Sequence, residues 1–204
     1  MKDYSNGIKP NWCPGCGDFS VLRAIQVAAA RLSLPPEKMA VVSGIGCSGR
    51  LSGYMHTYGF HSVHGRSLPV AQGIKIANQE LTVIATGGDG DGFAIGTSHT
   101  VHAIRRNMDI TYVVMNNSLY GLTKGHVSPV SQQGLVTKST PEGSHDSPVY
   151  PGMLALSSGI GYYAQGFSAE QDELVELLIA GIKYKEFSLI MEFSPCVTYN
   201  KINT

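Results

Sequence analysis

Two short polar motifs in this sequence could together hold a phosphate group and a divalent cation. Residues 88–91 are Gly-Asp-Gly-Asp after an apolar run, and Asn116 and Asn117 end the next such run. Glycines let a backbone approach a phosphate closely, whereas Asp89 would repel the phosphate unless a cation lay between them. Mg²⁺ prefers oxygen ligands and commonly bridges protein carboxylates and phosphates. Each motif alone is typical of a turn, but room for one helix and one strand between them predicts that both end neighbouring strands.

The four cysteines form a second group that could do chemistry. Cys13 and Cys16 make a Cys-x-x-Cys pair with Gly15 inside it and Gly17 after it, whereas Cys47 and Cys196 stand alone. We expect all four in loops. Four thiolates can hold either zinc or an iron–sulfur cluster. Structural zinc sites usually combine two local pairs, so two isolated cysteines modestly favour a cluster, and both alternatives remain open on spacing alone.

Short apolar strands alternate with amphipathic helices and must position these motifs. We predict Asp18 as the cap of the first helix, Pro69 as the start of the second, and Ser168 with Gln171 as a capping box for the last. The hydrophobic pattern predicts helices at about 21–32, 69–77, 93–105 and 174–182, and strands at 39–42, 82–86, 110–115 and 188–193.

This alternation predicts an α/β fold, with a mostly parallel central sheet covered by helices on both faces. Ligands of such sheets bind beyond the carboxyl ends of the strands, which is where residues 44–50, 88–91 and 116–117 fall. The stretch from about 117 to 148 is polar and lacks apolar periodicity. A loop of that length is expected to be functional or ordered by a partner.

Length and composition limit the remaining possibilities. The 204 residues suit one domain over 1–204, and 15 Lys plus Arg balance 15 Asp plus Glu. That balance argues against a nucleic-acid or anionic-membrane binder. We also see no apolar signal-peptide core and no run near the ~20 apolar residues that span a bilayer. A cytoplasmic protein without a membrane or nucleic-acid partner is therefore expected.

Several motifs occur in an order that resembles the beta subunits of 2-oxoacid:ferredoxin oxidoreductases, especially the 2-oxoglutarate type. Gly-Asp-Gly followed by Asn-Asn also resembles the general fingerprint of thiamine diphosphate enzymes. The resemblance covers nearly the whole chain. The motifs are Trp-Cys-Pro-Gly-Cys-Gly-Asp at 12–18, Gly-Ile-Gly-Cys-Ser at 44–48, His-Gly-Arg at 64–66, Gly-Asp-Gly-Asp at 88–91, Met-Asn-Asn at 115–117 and Tyr-Gly-Leu-Thr-Lys-Gly at 120–125.

The resemblance implies a thiamine diphosphate-binding fold with an embedded 4Fe–4S site. Mg²⁺ would be held by the side chains of Asp89 and Asn117 and by the carbonyl of Leu119. The cluster would be held by Cys13, Cys16, Cys47 and Cys196. The implied cofactor-binding residues are Ile45, Gly46, Cys47, Ser48, His64, Gly88, Asp89, Gly90, Asp91, Asn117, Gly121 and Leu122.

The activity implied by the resemblance is the coenzyme A-dependent oxidative decarboxylation of a 2-oxoacid, with conversion of 2-oxoglutarate to succinyl-CoA as the expected reaction. Electrons would pass through the cluster to ferredoxin, and an alpha subunit would complete the enzyme. His64 is expected to face the reacting carbonyl or the phosphates, with a purely structural role as the alternative. Lys124 is expected to pair with the distal carboxylate, with a solvated loop lysine as the alternative. Arg50 and Arg66 could contact anionic groups or the partner.

Three other functions also remain possible from the sequence alone. They are a pyruvate or broad-specificity oxidoreductase of the same family, a cluster-free thiamine diphosphate decarboxylase or synthase, and a non-enzymatic zinc-binding structural subunit. Two departures from the family pattern also matter. His126 stands where the family usually has Gln, so substrate contacts are expected to differ. Family members commonly continue past the position of Cys196, so we expect a tail used in docking to be absent from this sequence.

Overall fold

A six-stranded parallel sheet forms the centre of the computed structural model, which describes residues 4–200. Its strands lie in the order β2-β1-β3-β4-β8-β7. A separate antiparallel hairpin joins β5 (Leu119–Tyr120) to β6 (His126–Val127). The predicted α/β fold with a parallel sheet is therefore confirmed. The sheet strands are β1 (Met39–Ser43), β2 (Tyr58–His61), β3 (Thr82–Gly88), β4 (Ile110–Asn116), β7 (Tyr162–Phe167) and β8 (Phe187–Phe193).

Helices cover both faces of this sheet. One layer contains α1 (Asp18–Arg31) and α6 (Gln171–Lys183). The other contains α2 (Ser67–Ala77), α4 (Thr97–Arg106) and α5 (Pro151–Ser157). The five-residue helix α3 (Asp89–Phe93) follows β3 directly, and two 3-10 helices span Pro36–Lys38 and Ser48–Tyr54. Among the described residues, none of the helices is both long enough and apolar enough to cross a membrane.

The central strands read as continuous apolar runs because both of their faces are buried. Every residue of β1 and of β4 is buried. Alternate side chains enter opposite layers: Ile84 packs in the core under α1 and α6, and Ala85 packs in the core under α2 and α4. Full burial of each large aliphatic side chain contributes ~1.5–3 kcal/mol. This packing fixes the strand ends, and hence the loops that follow them.

The predicted helix over 93–105 is wrong in its bounds, because the chain forms two helices with a break at 94–96. Ala94 has a non-helical backbone (φ −98°, ψ −106°). A side chain at Gly96 would overlap the carbonyl oxygen of Asp91, and one at Gly65 would lie 2.7 Å from the backbone nitrogen of Gly96. The loop after β2 therefore packs directly on this break, which local periodicity does not reveal.

The predicted helix starts are also corrected. Asp18 is the first residue of α1 rather than its cap, and its side chain is buried. The backbone N–H of Ser168 donates to the Phe193 carbonyl, and α6 begins at Gln171, so Ser168 and Gln171 do not form a capping box. Helix α2 starts at Ser67, two residues before Pro69.

Several elements were not predicted at all. They are β2, β7, α5 and the β5–β6 hairpin. All four residues of β2 are exposed, and β7 has mostly half-buried positions because both strands lie at the edges of the sheet. Edge strands lack the continuous apolar run that identified the central ones. The polar stretch after Asn117 is otherwise irregular, as predicted.

Candidate functional site

The candidate site is a crevice at the carboxyl ends of the central strands. The chain leaves β1 toward β2 and leaves β3 toward β4, so the two following loops diverge across the sheet and open a crevice between them. All twelve residues predicted to contact a cofactor line this crevice. They are Ile45, Gly46, Cys47, Ser48, His64, Gly88, Asp89, Gly90, Asp91, Asn117, Gly121 and Leu122.

Asp89 lies at the base of the crevice, where β3 ends and α3 begins. It is 1% exposed, and its Oδ1 accepts a hydrogen bond from the backbone N–H of Asn117 at 3.2 Å. Its Oδ2 is buried and has no hydrogen-bond partner among residues 4–200. Burial raises the pKa of Asp89 to about 6, although the nearby Ser128 hydroxyl and the backbone N–H groups of Asn117 and Ser118 oppose the rise. A buried carboxylate with one unused oxygen fits a divalent cation.

Asn117 lies beside Asp89 because β4 is the neighbour of β3 and ends at the same edge. Its side-chain oxygen accepts a hydrogen bond from the backbone N–H of Leu119 at 3.0 Å, which tightens the turn at residues 116–119. Leu119 is buried and lines the crevice together with Asn117. The three predicted metal ligands therefore come together at one end of the crevice.

Asp91 connects three segments that are distant in sequence. Its Oδ1 accepts hydrogen bonds from the backbone N–H of Ile45 (2.9 Å), the backbone N–H of Gly65 (2.8 Å) and Nδ1 of His64 (2.9 Å). A side chain at Gly44 would overlap the Asp91 carboxylate, so glycine is required there. Asp91 thus lines the crevice, but its carboxylate serves to fix the loops after β1 and β2. The contact leaves Nε2 of His64 as the ring nitrogen available to a ligand.

Tyr120 covers the glycine between the two aspartates. A side chain at Gly90 would overlap the Tyr120 ring, and the Tyr120 hydroxyl donates to the Gly90 carbonyl at 3.3 Å. The same ring meets His64 edge-to-face, with 6.0 Å between ring centroids. Sequence reasoning placed Tyr120 in a family motif but assigned it no contact. Its position beside Gly90 becomes visible only once the hairpin folds back over the crevice.

The four cysteine segments converge on one side of this crevice. A Cβ atom at Gly121 would lie 3.6 Å from Cys196 Sγ and 3.8 Å from Cys47 Sγ. Cys13 and Cys16 are joined by a tight turn, in which the Cys16 N–H donates to the Cys13 carbonyl at 3.0 Å. All four thiols are free of disulfides. Within the described range, no three His, Cys, Asp or Glu side chains are arranged to hold a single metal ion.

The thiols also influence one another electrostatically. Burial, followed by the Asp18 carboxylate, raises the pKa of Cys16 to about 12, and Cys47 and Cys196 add to the rise. Burial and then Asp18 likewise raise the pKa of Cys47 to about 11, with further increases from Cys196 and Cys13. Thiols in such surroundings bind as thiolates when a cationic metal centre offsets the negative charge. This donor set fits an iron–sulfur cluster, whose positive irons are held by thiolates.

Asp18 is a crevice residue that sequence reasoning missed, because it was interpreted as a helix cap. Its carboxyl is 3% exposed and accepts a hydrogen bond from the Ser194 hydroxyl at 3.3 Å. Burial raises its pKa to about 6. The available signal was its position two residues after Cys16 in a Gly-rich segment. Three further crevice residues were not predicted: Met115, Tyr120 and Thr123.

Lys124 lies outside the residues that line the crevice. It is exposed and has a left-handed backbone (φ +72°) at the turn of the β5–β6 hairpin. Three residues just before it, Gly121 to Thr123, do line the crevice. His126 is also exposed, and its Nδ1 lies 2.9 Å from the Thr123 hydroxyl. The hairpin therefore carries both predicted substrate-side residues at the rim of the site.

Comparison with known proteins identifies relatives of this arrangement. The family described as "Thiamine pyrophosphate enzyme, C-terminal TPP binding domain" matches residues 44–191. The 2-oxoacid:ferredoxin oxidoreductase subunit beta of Saccharolobus solfataricus is 46% identical over 95% of this chain and 64% of its own length. The 2-oxoglutarate synthase subunit KorB of Archaeoglobus fulgidus is 41% identical over 94% of this chain and 71% of its own.

A solved structure is similar over the whole chain. It is 2-oxoglutarate:ferredoxin oxidoreductase from Magnetococcus marinus with 2-oxoglutarate, coenzyme A and succinyl-CoA bound. The TM-score is 0.98 and the identity is 41%, covering 100% of this chain and 70% of that one. The present chain spans somewhat less than two thirds (64%) of the Saccharolobus solfataricus relative, and 53% of the subunit KorB from Mycobacterium tuberculosis.

Proposed function

Because this chain belongs to the beta-subunit family of 2-oxoacid:ferredoxin oxidoreductases, we propose that it binds thiamine diphosphate and Mg²⁺ in the crevice. In that role it forms part of an enzyme that converts 2-oxoglutarate to succinyl-CoA. The reaction releases carbon dioxide, transfers the acyl group to coenzyme A and delivers two electrons to ferredoxin. The observation that carries the proposal is the buried Oδ2 of Asp89, which has no hydrogen-bond partner among residues 4–200. It lies at the base of a crevice lined by all twelve predicted cofactor-binding residues.

Mg²⁺ would be held by Asp89, by Asn117 and by the backbone carbonyl of Leu119. These groups would combine one carboxylate with two neutral oxygens, which are ligands of the kind that Mg²⁺ prefers. Gly88 lines the crevice and has no side chain beside the proposed metal position, so the diphosphate can approach its backbone closely. The metal would offset the repulsion between Asp89 and the diphosphate.

Thiamine diphosphate, when bound, supplies the electron sink that decarboxylation of a 2-oxoacid requires. The residues of this chain would orient it and shield it from water. Asp91 fixes the loops carrying Ile45 and Gly65, and it holds His64 through Nδ1. His64 would then present Nε2 to the phosphates or to the substrate carbonyl. Tyr120 would close the crevice above Gly90.

The four cysteines would hold one 4Fe–4S cluster, which supplies one-electron transfer to the acceptor protein. Cys47 supports this proposal most directly, because it lines the crevice and its thiol interacts electrostatically with those of Cys13, Cys16 and Cys196. Cofactor and cluster would thus be neighbours, a suitable arrangement for rapid electron transfer between them. All four thiols being free is compatible with a reducing, cytoplasmic location.

The substrate and partners are proposed from the relatives. The solved relative is described with 2-oxoglutarate, coenzyme A and succinyl-CoA bound, which supports 2-oxoglutarate as the acid. Lys124 at the crevice rim would pair with the distal carboxylate of 2-oxoglutarate. An alpha subunit would supply groups for coenzyme A binding and for cofactor activation. Ferredoxin would accept the electrons.

Anaerobic co-expression with the alpha subunit tests this proposal. We expect the purified complex to contain thiamine diphosphate, Mg²⁺, iron and acid-labile sulfide, and to reduce ferredoxin when given 2-oxoglutarate and coenzyme A. A complex with thiamine diphosphate but no iron or sulfide would favour a cluster-free decarboxylase. Bound zinc without thiamine diphosphate would contradict the proposed function altogether.

A further inference from the structure

The turn at residues 116–119, which carries Asn117 and leads to Leu119, has a strained backbone. Ser118 adopts φ +57°, in the left-handed region that non-glycine residues rarely occupy. Such conformations cost energy and persist only where the surrounding structure enforces them. Within the turn, Asn116 Oδ1 accepts from the Ser118 N–H (3.0 Å), and Asn117 Oδ1 accepts from the Leu119 N–H (3.0 Å).

Two side chains from distant segments also bind this turn. Ser131 is 2% exposed, and its hydroxyl donates to the Ser118 carbonyl at 2.6 Å while accepting from the Ser128 N–H at 2.8 Å. Because the hydroxyl has one proton and that proton is used for Ser118, its orientation is fixed. Ser131 belongs to the long polar stretch, so this bond joins that stretch to the turn.

Asn200 holds the turn from the other side. It is 4% exposed, and its Nδ2 donates to the Asn117 carbonyl at 3.0 Å. Its backbone N–H donates to the Cys196 carbonyl, so Asn200 also belongs to the segment of the fourth cysteine. The Ser194 N–H donates to the Asn116 carbonyl at 2.9 Å. Three successive carbonyls of the turn are thus bound from outside it.

We propose that Ser131 and Asn200 are positioning residues that hold this strained turn in the geometry a small divalent cation requires. The inference rests on the proposed metal role of Asn117 and Leu119. Mg²⁺ demands near-ideal octahedral geometry at short distances, whereas Ca²⁺ accepts a larger and more variable arrangement. A turn released from either contact relaxes toward an unstrained backbone. It then discriminates against Mg²⁺ while it still accommodates Ca²⁺.

The test measures thiamine diphosphate affinity of the purified alpha–beta complex by calorimetry, with Mg²⁺ and separately with Ca²⁺. Loss of a buried hydrogen bond of this kind costs ~1–3 kcal/mol, which predicts a roughly 5–150-fold weaker affinity with Mg²⁺ for Ser131→Ala and for Asn200→Ala. The affinity measured with Ca²⁺ should fall by less. Ser131→Thr keeps the hydroxyl and should restore the Mg²⁺ value. Ser139→Ala, which removes an exposed hydroxyl from the same stretch, is the matched control.

A further variant addresses the strain directly. Glycine adopts the left-handed conformation without penalty, so Ser118→Gly in the Ser131→Ala background should recover part of the lost Mg²⁺ affinity. Equal losses with Mg²⁺ and Ca²⁺, or unchanged affinity in both single variants, would overturn the positioning role. Failure of the unmodified complex to bind thiamine diphosphate with either cation would instead overturn the proposed function. The two failures are therefore distinguishable.

Discussion

His64 Nδ1 lies 2.9 Å from Asp91 Oδ1, and this contact joins the loop after β2 to the residue that follows the Gly-Asp-Gly motif. The Asp91 side chain is 1% exposed and the His64 side chain 40%. The Asp91 carboxylate is therefore fixed in the core, whereas the His64 ring reaches the crevice. The same Asp91 oxygen also accepts two backbone hydrogen bonds, so the orientation of His64 and the position of two loops depend on one atom.

Replacing Asp91 should separate these two effects. Asp91→Asn keeps an oxygen acceptor for the backbone N–H groups but loses the charge-assisted bond to His64, which is worth ~1.5–3 kcal/mol. We expect kcat to fall by roughly 10–150-fold with little change in thiamine diphosphate affinity. Asp91→Ala should weaken cofactor binding as well, because both loops lose their anchor. Steady-state kinetics and calorimetry on the alpha–beta complex distinguish the two variants, and equal behaviour of both would contradict the division of roles.

Asp89→Ala should remove the charged metal ligand and leave the diphosphate poorly neutralised. Losing a group that merely supports a metal ligand costs ~10–100-fold in affinity, so losing the ligand itself should cost at least as much. Calorimetric titration with thiamine diphosphate and Mg²⁺ measures the effect. Asp146→Ala, which removes an exposed carboxylate from the polar stretch, serves as the control. Unchanged binding of thiamine diphosphate and Mg²⁺ by Asp89→Ala would contradict the assignment of Asp89 as a metal ligand.

Cys13→Ser and Cys196→Ser should each lower the iron content or alter the cluster. Serine is a poor substitute for a soft thiolate ligand. Iron and sulfide analysis with EPR of the dithionite-reduced complex, all under anaerobic conditions, provides the measurement. Thr198→Ala, an exposed position two residues after Cys196, controls for local disturbance. Full iron content with an unaltered EPR spectrum in both cysteine variants would exclude these residues as ligands.

Lys124→Ala should change substrate choice more than general activity. An ammonium group at the rim could pair with the second carboxylate of 2-oxoglutarate, which pyruvate lacks. Such a contact contributes ~1.5–3 kcal/mol, or roughly 10–150-fold in discrimination. We expect kcat/KM for 2-oxoglutarate to fall much more than that for pyruvate or 2-oxobutyrate. Equal losses on all three acids would indicate that Lys124 supports the hairpin instead, and Lys138→Ala is a control for an exposed lysine elsewhere in the polar stretch.

The buried Glu192 side chain should make the stability of the folded protein depend on pH. It is fully buried on β8, and neither carboxyl oxygen has a hydrogen-bond partner in the described part of the chain. Burial, and to a smaller extent Glu173, raises its pKa from 4.5 to about 8. The folded state therefore keeps a proton that the unfolded state releases above pH 4.5. The free energy of unfolding should fall as the pH rises from about 4.5 to 8 and then level off.

Glu192→Gln removes this titration and should flatten the profile. At pH 8 and above, we expect the variant to be more stable by at least ~1 kcal/mol, or about 2–4 °C in Tm. Near pH 4.5 the difference should vanish. Thermal unfolding monitored by circular dichroism across this range measures these differences, with the exposed Glu142→Gln as control. A pH-independent difference between Glu192→Gln and the unmodified protein would contradict a titrating Glu192.

The sequence by itself determined the class of fold and most of the residues that line the crevice. Its apolar runs identified β1, β3, β4 and β8 because strands buried on both faces need apolar residues at every position. The motifs at 44–48, 88–91 and 116–117 directly follow such runs. In a parallel sheet, the carboxyl ends of neighbouring strands meet at one edge, so these residues had to converge.

Only the tertiary structure decided what several of these residues do. It shows that Asp18, predicted as a helix cap, is buried and lines the crevice. It also shows that Asp91 accepts hydrogen bonds from two loops and so holds them in place. It also brought Ser131 and Asn200 to the turn that contains Asn117. Hydrophobic periodicity predicts which face of a helix or strand is buried. It does not predict which distant group forms a hydrogen bond with a given polar atom. Those pairings are set by the order of the strands and by the paths of the loops between them.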